Sequence, residues 1–135
     1  HGRKQINSIA DDPIRVEANM QLILKRHLKD LHGDCVLMCK GHTHKIIICP
    51  PRSLLYLYTG AKGITQGYTT TEHLAQYIPP ESRYYLNTGS FIRLYREDEL
   101  WTYQETMEFK PVELGFPVVR VRNGVIEGVD KVIVT

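Results

Sequence analysis

The sequence contains no apolar run near the roughly 20 residues that a bilayer span requires, and 24% of its 135 residues are charged, so a transmembrane helix is excluded. Charge of one sign is also scarce. Lys+Arg 17 against Asp+Glu 15 leave a formal +2 at pH 7, which provides no global field to draw in nucleic acid or an anionic membrane. Any charge-based function must come from local placement. Cysteine is limited to Cys35, Cys39 and Cys49, an odd number lying in or beside apolar segments. That excludes a secreted disulfide framework and points to a reducing, cytoplasmic compartment. The opening residues His1-Gly2-Arg3-Lys4 and those that follow show no initiator Met, apolar signal core or cleavage-site pattern, so the chain reads as an excised piece or a truncated record. No internal repeat or low-complexity tract interrupts it.

What is present suffices for one core. An apolar content of 42% excludes disorder, and a chain of this length buries roughly two-thirds of its unfolded surface. Over residues 14–31 the apolar side chains Ile14, Met20, Leu24, Leu28 and Leu31 recur at helical spacing between Arg15, Lys25, Arg26 and Lys29. This predicts an amphipathic helix, with Asp11-Asp12-Pro13 as cap and first turn and Gly33 as a left-handed C-terminal cap.

Residues 35–39, Cys-Val-Leu-Met-Cys, form an apolar run too short for a helix and without polar alternation, which predicts a strand buried on both faces. A polar stretch, Lys40-Gly41-His42-Thr43-His44-Lys45, then interrupts before Ile46-Ile47-Ile48-Cys49 resumes the run and Pro50-Pro51 ends it. The polar stretch therefore connects two buried strands. Residues 53–58 predict another strand, followed by a long loop marked by Gly60, Gly63 and Gly67 and ending at Thr71. A short helical turn is expected over residues 72–77, and residues 83–86 and 91–95 flank Asn87-Thr88-Gly89-Ser90 as strand, tight turn, strand. Residues 97–108 fit helix and strand equally. Val118 to Val134 predict a hairpin, because Asn123-Gly124 tolerates positive φ at both central turn positions. The order implies an α/β architecture in which one amphipathic helix packs on a sheet that continues as a β-meander.

The chemistry-bearing feature is Gly41-His42-Thr43-His44. Two imidazoles two residues apart, on a loop whose origin is fixed by a buried strand, can face one point, and neutral imidazole is a good ligand for zinc, iron, nickel or manganese. Gly41 removes a side chain where the backbone must turn or approach an ion. A chance pair of loop histidines is the competing reading. The loop by itself does not separate the two.

Its company does. Gly-His-Thr-His followed by an apolar β-run, with Leu86-Asn87-Thr88-Gly89-Ser90 further on and His1-Gly2 standing 41 positions before His42, resembles the C-terminal half of the calcineurin-like metallophosphoesterases over most of residues 1–95. The resemblance implies a four-layer αββα fold of which this chain is the C-terminal portion. It implies two divalent metal ions (Mn, Fe, Zn, Ni or Mg), with His1 and His42 binding one and His44 the other. Paired cations would hold phosphate oxygens and lower the pKa of a bound water, which attacks a phosphate mono- or diester. The implied partners are a phosphate-ester substrate, among them a nucleotide or nucleic acid, and the N-terminal half of the same fold. The family's N-terminal half, with its Asp-x-His, Gly-Asp and Asn-His elements on separate strands, is not matched here: Asn-His does not occur, and Asp30-Leu31-His32 and Gly33-Asp34 stand side by side between the expected helix and strand. The chain alone is thus expected to bind metal poorly and hydrolyse little, and a bare sheet edge would favour self-association. A noncatalytic interaction domain that keeps the fold is the alternative. His1 itself reads either as a native ligand or as the last histidine of an affinity tag.

The other candidates have plainer readings beside functional ones. Cys39 reads as a buried small apolar residue or as a third zinc ligand with His42 and His44. His27 and His32 read as structural or exposed, His32 near the helix C-terminus where a cation is favoured. His73 lies in the long loop, where a substrate contact is one reading. Arg3, Lys4, Lys40, Lys45 and Arg52 read as a solvated surface or as phosphate holders. Tyr56, Tyr58, Tyr84, Tyr85, Tyr95 and Tyr103 are explained by β propensity and half-burial as well as by base stacking.

Overall fold

A computed structural model describes residues 2–69, 76–92 and 111–134. Helix α1 spans Pro13–Leu28, entered through Asp12, whose extended backbone lets its carboxylate accept from the Ile14 N–H at 3.3 Å while Pro13 takes the first helical position. Lys25, Arg26 and His27 occupy the last turn, where positive charge is favoured by the helix dipole. The helix buries Leu24 and Leu28 and packs Met20 and Ile23 against the core, but Ile14 and Leu31 are exposed. It also stops earlier than its spacing predicts. Lys29 is a right-handed cap, and Gly33 is not among the positive-φ glycines. Gly33 instead answers a close approach, since a Cβ there would stand 3.1 Å from the Tyr77 ring.

The strands are β1 Leu37–Lys40, β2 Ile46–Cys49, β3 Leu55–Gly60, β4 Gly63–Tyr68, β5 Tyr84–Thr88, β6 Gly115–Arg122 and β7 Val125–Ile133. They do not continue as one meander. The central sheet is three-stranded in the order β1-β5-β2, with β5 parallel to β1 and antiparallel to β2. Strand β5 thus slides between two strands that are neighbours in sequence, so the five residues joining β1 to β2 must arch over its end.

Register assigns the faces. Met38, Lys40, Tyr85, Asn87, Ile47 and Cys49 share one face, the one packed by α1 and Ile6. On the opposite face, hairpin β6–β7 covers β2 and β5 but makes no close packing with β1. This corrects the expectation of a first strand buried on both faces. Met38 and Lys40 are buried, whereas Leu37 is half-exposed and Cys39 exposed, because one side of β1 has no cover among the described residues. Strand β2, covered on both sides, buries Ile46, Ile47 and Cys49 as its run of apolar residues predicts.

The expected long loop from Gly60 is largely a second hairpin, β3–β4, turned by Ala61-Lys62. Its Leu55, Leu57 and Ile64 are exposed, and Tyr56 and Tyr58 are each 48% exposed, close to the half-burial expected of them. The β6–β7 hairpin turns at Asn123 (φ 50°) and Gly124 (φ 77°), the paired positive angles its dipeptide predicts. After β5, Phe91 and Ile92 are not in a strand. Residues 93–95, the ambiguous 97–108, most of the 72–77 turn, and Tyr95 and Tyr103 lie outside the described residues. Among the described residues no helix is long and apolar enough to cross a membrane.

Candidate functional site

The loop between β1 and β2 carries both imidazoles over the end of β5. Ile46 pairs with Thr88 and Lys40 with Asn87, so His42, Thr43 and His44 sit where the Asn87-Thr88-Gly89-Ser90 segment leaves the sheet. The two motifs, 44 residues apart from Thr43 to Asn87, form one structural unit. Asn87, wholly buried, donates from Nδ2 to the carbonyls of Thr43 and Lys45 at 2.5 Å each. Its Oδ1 is buried and has no hydrogen-bond partner among the described residues, which costs about 1–3 kcal/mol and offsets much of what the two donated bonds contribute.

The residue that turns the backbone is His42 itself, at φ 83°, rather than Gly41. A left-handed non-glycine costs about 1–2 kcal/mol and persists only where its surroundings hold it. Here those surroundings include the N-terminal segment. Thr43 Oγ1 accepts from the Ile6 N–H at 3.2 Å, and Lys45 Nζ donates to the Ile6 carbonyl at 3.2 Å and to Asn7 Oδ1 at 3.0 Å. Gln5 Nε2 lies 3.0 Å from His42 Nε2. Ile6, fully buried, anchors this strap in the core.

Strand alternation turns Lys40 inward, so it is 6% exposed rather than part of a solvated cluster. Its ammonium donates to the Lys4 carbonyl at 2.5 Å and stands 3.0 Å from His27 Nδ1. Burial first, then the Lys40 and Lys4 charges, hold the His27 imidazole below its ordinary 6.5, and burial with Lys4 likewise lowers Lys40. A neutral His27 accepts from Lys40; a protonated one has no lone pair for it. Because the unfolded chain takes up the His27 proton first, stability is undiminished above pH 6.5 and declines as pH falls below it. Denaturant titrations from pH 8 to pH 5 are expected to show this decline, and His27→Gln to flatten it. Identical pH profiles for the two proteins would refute the assignment.

Of the other candidates, Arg3, Lys4, Arg52 and His32 are exposed, and Lys45 is half-buried against the strap. Cys39 is exposed on the uncovered face of β1, so neither the buried reading nor convergence with the histidines holds for it. Cys49 is buried, and burial pushes its thiol above the ordinary value. His1 and His73 lie outside the described residues. Among the described residues no three His, Cys, Asp or Glu side chains gather as a metal-binding group. A cavity of about 200 Å³, bordered by Gln21, Lys25, Cys49, Arg52, Glu81 and Tyr85, opens at the far end of β2 and does not include the imidazole loop.

Sequence reasoning passed over Asn87 as a clamp, the Gln5 contact and the burial of Lys40. Only the even spacing of Lys40 from Met38 hinted at the last. Comparisons with protein-family models, with curated proteins and with solved structures find no match.

Proposed function

We propose that this chain supplies the C-terminal histidine ligands of a binuclear metal-dependent phosphoesterase, His42 and His44 together with His1, in a four-layer αββα fold. The observation that supports this reading is the union of Gly-His-Thr-His with Asn-Thr-Gly-Ser at one end of the sheet, the two motifs on which the family resemblance rests. The strained backbone at His42 supports it further, since a left-handed histidine is a poor choice for a loop that only connects strands.

The donor chemistry fits in kind but is incomplete. Two neutral imidazoles are suitable ligands for Mn, Fe, Zn or Ni, and the remaining donors, carboxylates above all, would come from polypeptide other than these 135 residues. When bound, such ions polarise a phosphate ester and supply a hydroxide at neutral pH. The part of these residues is to hold two nitrogen donors at the sheet end. Among the described residues one side of β1, with Leu37 and Cys39, is uncovered and its outer edge is unpaired; that side is where a second sheet would pack, and that edge is the natural place for the N-terminal half, or failing that a second copy, to pair.

One contact favours the alternative, a noncatalytic interaction domain. Gln5 Nε2 engages His42 Nε2, one of the two ring nitrogens through which a ligand role would be played. Calorimetric titration with Ni²⁺ separates the two. Binding that disappears in the His42→Ala/His44→Ala variant is expected, and with Mn²⁺ present the wild-type chain should hydrolyse an aryl phosphate diester only when a polypeptide bearing the Asp-x-His, Gly-Asp and Asn-His elements is added. Ni²⁺ binding unchanged by the double substitution would count decisively for the interaction domain.

A further inference from the structure

We propose that Asn87 is a positioning residue for the paired-imidazole loop, holding His42 and His44 in place through the carbonyls of Thr43 and Lys45, the residues on either side of His44. The inference rests on the metal-ligand reading only for its metal-binding readout. An amide nitrogen carries two N–H donors in one plane, and both are spent here on carbonyls of a single short loop, those of Thr43 and Lys45. Those residues bracket His44, and Thr43 follows the left-handed His42 directly. Both loop carbonyls thereby become tied to a residue whose backbone is paired to Lys40 on one side and Ile47 on the other. The imidazole loop inherits the rigidity of the central strand.

The Oδ1, which has no partner among the described residues, argues against a role in packing alone. A wholly buried side chain that leaves one acceptor unpartnered contributes little net stability, and the two bonds it does make go to the loop rather than to the core. Neighbouring side-chain donors are engaged elsewhere. Thr43 Oγ1 accepts from the Ile6 N–H and donates to Gln5 Oε1 at 3.5 Å, and Lys45 Nζ donates to the Ile6 carbonyl and Asn7 Oδ1.

The test compares wild type with Asn87→Ala, with the near-isosteric Asn87→Asp, which lacks the two donors when ionised, and with Leu24→Ala, a core deletion under the helix. Histidine ring NMR signals in metal-free protein and Ni²⁺ affinity by calorimetry are read alongside melting temperature. In both Asn87 variants the His42 and His44 ring signals should move or broaden while those of His32 stay in place, and Ni²⁺ affinity should fall roughly 10–100-fold, as it does when groups orienting a metal ligand are removed. Leu24→Ala should lower the melting temperature without moving the His42 and His44 signals. If one Asn87 variant fails to fold, the other carries the comparison. Signals of His42 and His44 that are unchanged in a folded Asn87 variant overturn the proposal. Should wild type bind no Ni²⁺ even with the polypeptide bearing the missing carboxylate elements added, the phosphoesterase reading fails while the ring signals still decide the role of Asn87.

Discussion

Replacing Arg83 with methionine is expected to lower the unfolding free energy by about 2–5 kcal/mol, because a thioether cannot donate to the Ile78 and Lys29 carbonyls that the guanidinium partners. Arg83 is 1% exposed. Its Nε donates to the Ile78 carbonyl at 2.7 Å and its Nη1 to the Lys29 carbonyl at 2.9 Å, while Nη2 reaches Gly33 O at 3.5 Å. One planar group thus joins the end of α1, the turn before β1 and the approach to β5. Tyr77 adds its ring, 5.6 Å from the guanidinium carbon. The nearby carboxylate of Glu81 is paired instead with Lys25, so the Arg83 charge is balanced by carbonyl dipoles, including those at the helix C-terminus. Methionine fills a similar volume, which makes lost hydrogen bonding rather than a cavity the tested quantity. Lysine should recover only part of the loss, since one ammonium cannot reach carbonyls spread around a planar fork. Urea denaturation measures both variants; a loss under about 1 kcal/mol for methionine would show that water or relaxed backbone replaces the guanidinium.

The second large effect is expected at Gly89. Its φ is 77°, and a Cβ there would stand 2.6 Å from the Gly115 carbonyl oxygen and 2.7 Å from Ile46 Cγ1. Neither neighbour yields easily. A Cβ on Gly115 would itself lie 1.9 Å from the Val132 carbonyl oxygen, so the hairpin is already seated against its own partner strand, and the Gly115 N–H donates to Ser90 O at 3.1 Å. A left-handed alanine costs about 1–2 kcal/mol and the forced displacement about 1–3 kcal/mol, so Gly89→Ala should destabilise by about 2–5 kcal/mol. Because Ile46 follows Lys45 directly, displacement is expected to reach the imidazole loop as well. Denaturant unfolding and Ni²⁺ titration on the same variant distinguish these effects. A stability loss below about 1 kcal/mol would mean that the turn accommodates a methyl group by a backbone shift.

These two glycines also account for part of the C-terminal chain, for which the sequence suggests no role. Hairpin β6–β7 backs the turn after Asn87 and covers the β2 and β5 side of the sheet, so residues 115–133 belong to the same packing unit as the imidazole loop.

Local sequence determined the features that depend on neighbours along the chain. The Asp12-Pro13 start of α1, the apolar strand at residues 46–49, the Asn123-Gly124 turn and the placement of both histidines on a connection are readable because capping, β-branched runs and positive-φ dipeptides act over a few residues. Tertiary structure alone decided the insertion of β5 between β1 and β2, the inward turn of Lys40, the exposure of Cys39, the left-handed His42 and the meeting of Asn87 with Thr43 and Lys45. Each depends on which distant segment covers a given face. Residues 35–39 read as doubly buried because periodicity records apolar character, while cover on the second side depends on a hairpin that reaches β2 and β5 and leaves β1 open.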